Sequence, residues 1–137
     1  MKAEELRIGN LVNFNDTIAT VLELRENHAR IEYMRSDTGM RYSTLVEYGR
    51  LEGVLITEEW LVKFGFKHKK TDKANCYTLN FFSLNFVNDG RYKGKTFIRV
   101  ANFNPDINNF LFVHQLQNLY FALTVQELTP SNHEPQS

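Results

Sequence analysis

Through residues 1–56 apolar and polar side chains alternate with period two, and in two later stretches they recur at helical spacing. A strand points successive side chains to opposite faces, whereas a helix brings i, i+3 and i+4 together, so the pattern predicts short strands followed by helices. Leu11-Val12-Asn13-Phe14 reads as a strand, Asn15-Asp16 as a tight turn, and residues 18–24 as a second strand with Ile18, Leu22 and Leu24 on one face. In residues 28–33, Ala29, Ile31 and Tyr33 alternate against His28, Arg30 and Glu32. Ser36-Asp37-Thr38-Gly39 is a turn, residues 41–48 a further strand and residues 51–56 a short closing one. Four or five short antiparallel strands with one wet face predict a small SH3-like β-barrel over residues 5–56.

At Thr57 the character changes. Thr57 is a good N-cap, Glu58 and Glu59 suit the positive end of a helix, and Trp60, Leu61 and Phe64 recur at helical spacing. Gly65 stops this helix, and a left-handed glycine there lets Phe66 fold back onto the last turn. Residues 67–75 read as a polar, basic loop. From residue 76 to 87 the alternation slips phase, with Tyr77, Leu79 and Phe81 on one parity and Phe82, Leu84 and Phe86 on the other. A bulge or turn near Phe81-Phe82-Ser83 explains the slip. Asn88-Asp89-Gly90 is a turn, residues 96–102 form a strand with Ile98 and Val100 on one face, and the Asn-rich residues 102–109 form a loop.

The last pattern is Val113-His114-Gln115-Leu116-Gln117-Asn118-Leu119-Tyr120-Phe121-Ala122-Leu123-Thr124, a stretch with no charged residue. Phe112, Leu116, Leu119, Tyr120 and Leu123 form one helical stripe, and His114, Gln117, Asn118 and Phe121 the neighbouring one. Thr124-Val125-Gln126-Glu127 reads as a capping box opening one more short turn that ends near Leu128. The expected class is α+β: an SH3-like antiparallel β-barrel lobe over 5–56, then an α-β-β-β-α lobe over 57–128 made of a helix, a small antiparallel sheet and a C-terminal helix. Residues 129–137 are expected to be a disordered tail.

Thr57-Glu58-Glu59-Trp60-Leu61-Val62-Lys63-Phe64-Gly65-Phe66 and the residues 113–124, together with the Arg7-Ile8-Gly9-Asn10 opening, resemble the hallmarks of a family of small uncharacterised proteins common in gut Bacteroidetes and their phages or integrated elements. The resemblance covers residues 6–128 and implies a phage or mobile-element context. It transfers no catalytic residue. One departure is visible: Val125-Gln126 stand where the family more often has Gly-Glu before Glu127-Leu128.

Composition narrows the chemistry more than the class. The 137 residues carry 16 basic and 16 acidic side chains, so no whole-molecule field attracts nucleic acid or an anionic membrane surface. The distribution is uneven: net −2 over residues 1–56, net +4 over 57–95 and net −2 over 96–137, which places any electrostatic docking in the middle segment. A single cysteine, Cys76, excludes an intrachain disulfide and fits a reducing compartment. Acidic residues near the N-terminus argue against a signal peptide, and no run approaches the roughly 20 apolar residues of a membrane span. A soluble, cytoplasmic protein without membrane attachment is expected.

Catalytic patterns are weak. His28, His68, His114 and His133 lack metal-pair spacing, so no metal ligand and no cofactor is expected. Cys76, His114 and Asn118 have the residue types of a cysteine-hydrolase triad, but Cys76 sits at a strand start rather than at a helix N-terminus that would lower its pKa. Glu58 and Glu59 point about 100° apart and read as solvent-facing dipole partners. Gly90 and Gly94 lack the strand-loop-helix context of a phosphate loop.

Two binding surfaces remain. Exposed helix faces ordinarily favour Glu and Lys, so the amides near His114 suit either a lobe interface, where they satisfy backbone groups, or a partner surface made of His114, Gln117 and Asn118. The cluster from Lys63 to Lys73, including Lys67, His68, Lys69, Lys70 and Lys73, with Arg91, Lys93, Lys95 and the Tyr77 and Tyr92 rings, suits phosphate. The reading is a noncatalytic protein-binding accessory protein, not an enzyme, whose partner is another protein or itself. The alternative is a nucleic-acid-binding module whose contacts are Lys67, Lys69, Lys70, Lys73 and Tyr92.

Overall fold

The computed structural model describes residues 1–70, 74–91, 93–101 and 112–131. The chain divides into two compact units, Met1–Leu55 with Phe112–Glu127, and Ile56–Leu111 with Leu128–Ser137. The class is α+β, with one four-stranded antiparallel sheet in each unit.

In the first unit β1 (Leu11–Phe14), β2 (Thr17–Leu24), β3 (His28–Met34) and β4 (Arg41–Glu47) pair in sequence order. Asn15 and Asp16, with φ of 49° and 62°, form the two-residue turn that joins β1 to β2 and matches strand twist. A 3-10 turn, Tyr48–Arg50, brings the chain back to β1, where Glu52 and Asn13 exchange two backbone hydrogen bonds of 2.9 and 2.8 Å. Instead of a fifth strand over 51–56, the described residues show two isolated bridges, Asn13 with Glu52 and Leu55 with Phe112, and no closed barrel.

The core of this unit includes Leu6, Val12, Ala19, Val21, Ala29, Ile31, Val46, Tyr48 and Leu51. Ala29 and Ile31 face inward as expected, but the expected face of β2 is reversed. Ile18 and Leu22 are exposed, whereas Ala19 and Val21 are buried. Cross-strand size complementarity decides this: small Ala19 stands opposite Tyr33, and Val21 opposite Ile31, before a bulge between Val21 and Glu23 breaks the register.

The helix α2 (Val113–Thr124) belongs to this unit, not to a lobe of residues 57–128 as its sequence neighbours suggest. Its buried stripe is Val113, His114, Leu116, Gln117 and Tyr120, while Leu123 is half exposed. The helix is thus rotated from the apolar stripe expected through Leu119 and Leu123, because Gln117 must point at backbone groups of the N-terminal segment. Thr124 opens no further helical turn. Its hydroxyl donates back to the Tyr120 carbonyl at 2.7 Å, and Val125 closes the helix in the left-handed conformation.

The second unit begins with α1 (Glu58–Lys63), capped by the Thr57 hydroxyl, which accepts from the Trp60 amide at 3.3 Å. Gly65, at φ 92°, ends it as expected: its amide donates to Val62 and the Phe66 amide to Leu61, and Phe66 is buried. The sheet follows in sequence order as β5 (Lys67–Lys70), β6 (Ala74–Leu79), β7 (Phe82–Val87) and β8 (Thr96–Val100). The phase slip between β6 and β7 is a two-residue turn at Asn80-Phe81. Residues 67–70, expected as loop, form an edge strand; all four are exposed, so no apolar alternation marks them.

Tyr77, Leu84, Phe82 and Ile98 are buried on one side of this sheet. The Tyr77 hydroxyl donates to Glu58 at 2.7 Å, which fixes α1 on that side. Asn75 donates to the same carboxylate at 3.4 Å, so Glu58 is a tether rather than a solvent-facing dipole partner. Burial, with the Glu58 hydrogen bond second, pushes the Tyr77 hydroxyl up to about 12. Leu128, just before the expected tail, is buried, and within the tail the Ser131 amide donates to the Lys63 carbonyl at 2.7 Å; residues 132–137 lie outside the described residues. No helix among the described residues is long and apolar enough to cross a membrane.

Candidate functional site

The candidate site forms on the second sheet because β-pairing aligns side chains across all four strands. Directly opposed residues share a face. One row therefore runs Lys67, Thr78, Ser83, Arg99, and the next Lys69, Cys76, Asn85, Phe97. At about 4.8 Å between strands, each row spans about 14 Å. The opposite face carries buried Tyr77, Leu84 and Ile98, which leaves the two rows as the polar side.

This face carries no carboxylate in its two rows. Lys67 and Lys69 are exposed and form no ion pair among the described residues, and Arg99 is exposed at the far end of the first row. Between them lie hydroxyls, a thiol and an amide, groups able to donate hydrogen bonds to phosphate or to base edges. The Cys76 Sγ and Ser83 Oγ are 3.2 Å apart, so the thiol is part of this polar face.

Parity divides the expected basic cluster. Lys70 and His68 alternate to the Tyr77 face, where the His68 ring stacks on Tyr77 at 4.7 Å and meets Asn75 Oδ1 at 3.1 Å. Lys63 lies on α1 with its ammonium 4.8 Å from the centre of the Trp60 ring. Lys73 and Tyr92 lie outside the described residues. Arg99, Thr78 and Ser83 were missed by sequence reasoning, although the inward parity of Ile98 and Val100 already sends Arg99 outward.

The other expected contact surface lies in the first unit. Gln117 is 1 % exposed; its Oε1 accepts from the Leu11 amide at 2.9 Å and its Nε2 donates to the Gly9 carbonyl at 3.3 Å. Asn118 accepts from Asn10 Nδ2 at 2.8 Å and donates to the Glu5 carbonyl at 3.0 Å. Arg7 lies over the Phe121 ring at 3.8 Å and pairs with Glu127. The Arg7-Ile8-Gly9-Asn10 opening and the amide helix are thus one hydrogen-bonded network. The amides take the internal of the two uses open to them. His114 is also buried, at 2 % exposure, and burial holds its imidazole below the ordinary value of 6.5 despite nearby Glu5.

Neither known protein families, curated proteins nor solved structures match this chain. The chemistry of these surfaces must therefore be read from the residues themselves. Among the described residues no three His, Cys, Asp or Glu side chains gather into a cation-binding group.

Proposed function

We propose that the protein is a noncatalytic nucleic-acid-binding accessory protein, in the phage or mobile-element setting that its motifs suggest, and that it binds through the polar face of the second sheet. The observation that carries this reading is the carboxylate-free pair of rows bounded by Lys67, Lys69 and Arg99. Cations spaced along such a face release counterions from a phosphate backbone, and the hydroxyl and amide groups between them position it. Protein or self-association through His114, Gln117 and Asn118 ranks second, because the first two are buried and Asn118 is hydrogen-bonded within its own unit. The first unit we read as an open SH3-like barrel serving as scaffold. The Asn13–Glu52 bridge, which returns the chain to β1 after a 3-10 turn, supports that reading.

Fluorescence anisotropy with a labelled oligothymidine of about 20 nucleotides tests the proposal, with a duplex of the same length alongside. Affinity should fall steeply between about 50 and 200 mM salt, and each lost lysine contact should flatten the logarithmic salt slope by about one. The K67E/K69E double variant should bind at least about tenfold more weakly, whereas K70E, on the other face, should change affinity far less. Binding indifferent to salt, or equal losses for K70E and the double variant, refutes this interface.

A further inference from the structure

A strand at the edge of a sheet leaves backbone groups unpaired, and the chain deals with its edges unequally. On β1 the Leu11 amide donates to Gln117 Oε1 at 2.9 Å, and Glu52 takes both backbone groups of Asn13. The edge strand β5 is guarded by Lys67, Lys69 and Lys70, and edge lysines oppose pairing with another chain. The other edge of the first sheet, β4, has neither device. It runs for seven residues with no lysine, no proline and no bulge in its pairing with β3.

Hydrogen-bond phase decides which groups of β4 face outward. The Arg35 amide donates to the Met40 carbonyl at 3.0 Å, and bonded and non-bonded pairs alternate along an antiparallel ladder. Tyr33 with Tyr42, Ile31 with Thr44 and Ala29 with Val46 are therefore the bonded pairs. The bond from the Arg25 amide to the His28 carbonyl, on the β2 side of β3, gives the same phase. Arg41, Ser43, Leu45 and Glu47 thus point their N–H groups away from β3. The backbone groups of Ser43 and Leu45 meet no partner among the described residues. All four side chains are exposed, Leu45 by 38 %.

The order of these four residues is self-complementary. Two copies of β4 laid antiparallel about a two-fold axis at Thr44 set Arg41 of each opposite Glu47 of the other, and Ser43 opposite Leu45. The two Leu45 side chains then stand diagonally across the axis, about 7–8 Å apart and within reach of each other. A slip by two residues places Arg41 opposite Leu45, or Glu47 opposite Ser43, so opposite charges select one register. Arg41 already meets Glu32 at 3.2 Å, and its fork keeps further N–H donors for a second carboxylate.

We propose that the protein self-associates as a two-fold dimer through the outer edge of β4, which joins the two first sheets into one eight-stranded antiparallel sheet. The complementarity of the strand with its own reversed copy is what makes the partner a second copy of this chain. The surface is separate from the polar rows of the second sheet and from His114, Gln117 and Asn118, so it does not depend on nucleic-acid binding.

A short edge is a small interface, and small interfaces associate weakly, so sedimentation equilibrium from about 10 μM to about 1 mM tests the proposal. A reversible monomer–dimer equilibrium is expected. S43P removes an outward N–H without touching the ladder to β3, and it should weaken the dimer at least about tenfold. R41E and E47R each set like charges opposite one another across the axis, and each alone should associate about tenfold more weakly. Mixed together, these two variants should pair about as well as the parent protein, because the mixture restores opposite charges at both ends. Amide exchange at the top of the concentration range should slow at Ser43 and Leu45 and stay unchanged at Lys69. A monomer throughout the range, a dimer indifferent to S43P, or charge variants that associate no better mixed than alone would each overturn the proposal.

Discussion

The two units are built from similar parts, a four-stranded antiparallel meander and a helix, yet they use charge in opposite ways. The first holds seven basic and ten acidic side chains, net −3; the second holds nine and six, net +3. Six of the seven cations in the first are arginines, and seven of the nine in the second are lysines. The five ion pairs among the described residues all lie in the first unit: Arg7–Glu127, Arg25–Glu23, Arg30–Glu23, Arg35–Asp37 and Arg41–Glu32. Arg35 meets both Asp37 oxygens, which holds the guanidinium above its ordinary value, and it also lies over the Tyr42 ring. Arginine's planar fork suits such fixed pairing, whereas lysine is a strongly hydrated point charge on a flexible stem. Five of the first unit's six arginines are thus paired within it, whereas Lys67 and Lys69 of the second form no ion pair among the described residues.

The largest expected break in this contrast is Gln117→Leu. Removing the amide strands the Leu11 N–H and Gly9 carbonyl, and an unsatisfied buried group costs about 1–3 kcal/mol. The variant should lose about 2–4 kcal/mol in urea denaturation, counting both groups. The matched change on the other unit, Lys69→Gln, should stay within about 0.5 kcal/mol while weakening oligonucleotide binding. Comparable stability losses in the two variants would erase the distinction between internal and external polar groups.

Gly53→Ala should follow, at about 1–3 kcal/mol, because the new methyl must displace the Phe112 ring at the start of α2. Oligonucleotide binding by the folded fraction should not change. A second probe of the first unit is pH. His114 is depressed when folded and ordinary when unfolded, so below about 6.5 the unfolded chain takes up the proton first. Its contribution to stability is complete above that pH and is lost as the pH falls toward the depressed folded value. His114→Asn should flatten this limb of the stability profile relative to the parent protein, measured by urea melts at successive pH values. An unchanged slope would place the sensitivity elsewhere.

Legibility in the sequence followed the same division. Ala29 and Ile31, the Thr57 cap and the Gly65 stop were readable because each is fixed by neighbours close in sequence. The inward face of β2 was not, since Ile18 and Leu22 are the larger hydrophobes and only pairing with Tyr33 and Ile31 turns Ala19 and Val21 inside. The unit to which α2 belongs was equally hidden, because its decisive hydrogen bonds reach more than 100 residues back, from Gln117 to Gly9 and Leu11. For the candidate site, charge density around residues 67–70 was visible, but selecting Lys67 and Lys69 over Lys70 required knowing that an all-polar segment forms a strand.

Val125 sharpens the comparison from the side of strain. The first unit ends α2 with a β-branched residue at φ 59°, whereas the second ends α1 with Gly65 at φ 92°. Left-handed backbone crowds a Cβ against the neighbouring carbonyl, at a cost of roughly 1–2 kcal/mol, and glycine escapes it. Val125 is 77 % exposed, so it regains little through burial. Its amide already donates to the Phe121 carbonyl at 2.8 Å, a cap that glycine can keep. Val125→Gly should therefore stabilise the protein by about 0.5–1 kcal/mol after the entropy of the unfolded glycine is deducted. Gly65→Val should destabilise by at least as much. If denaturant midpoints move in the same direction for both exchanges, backbone strain is not what separates the two helix ends.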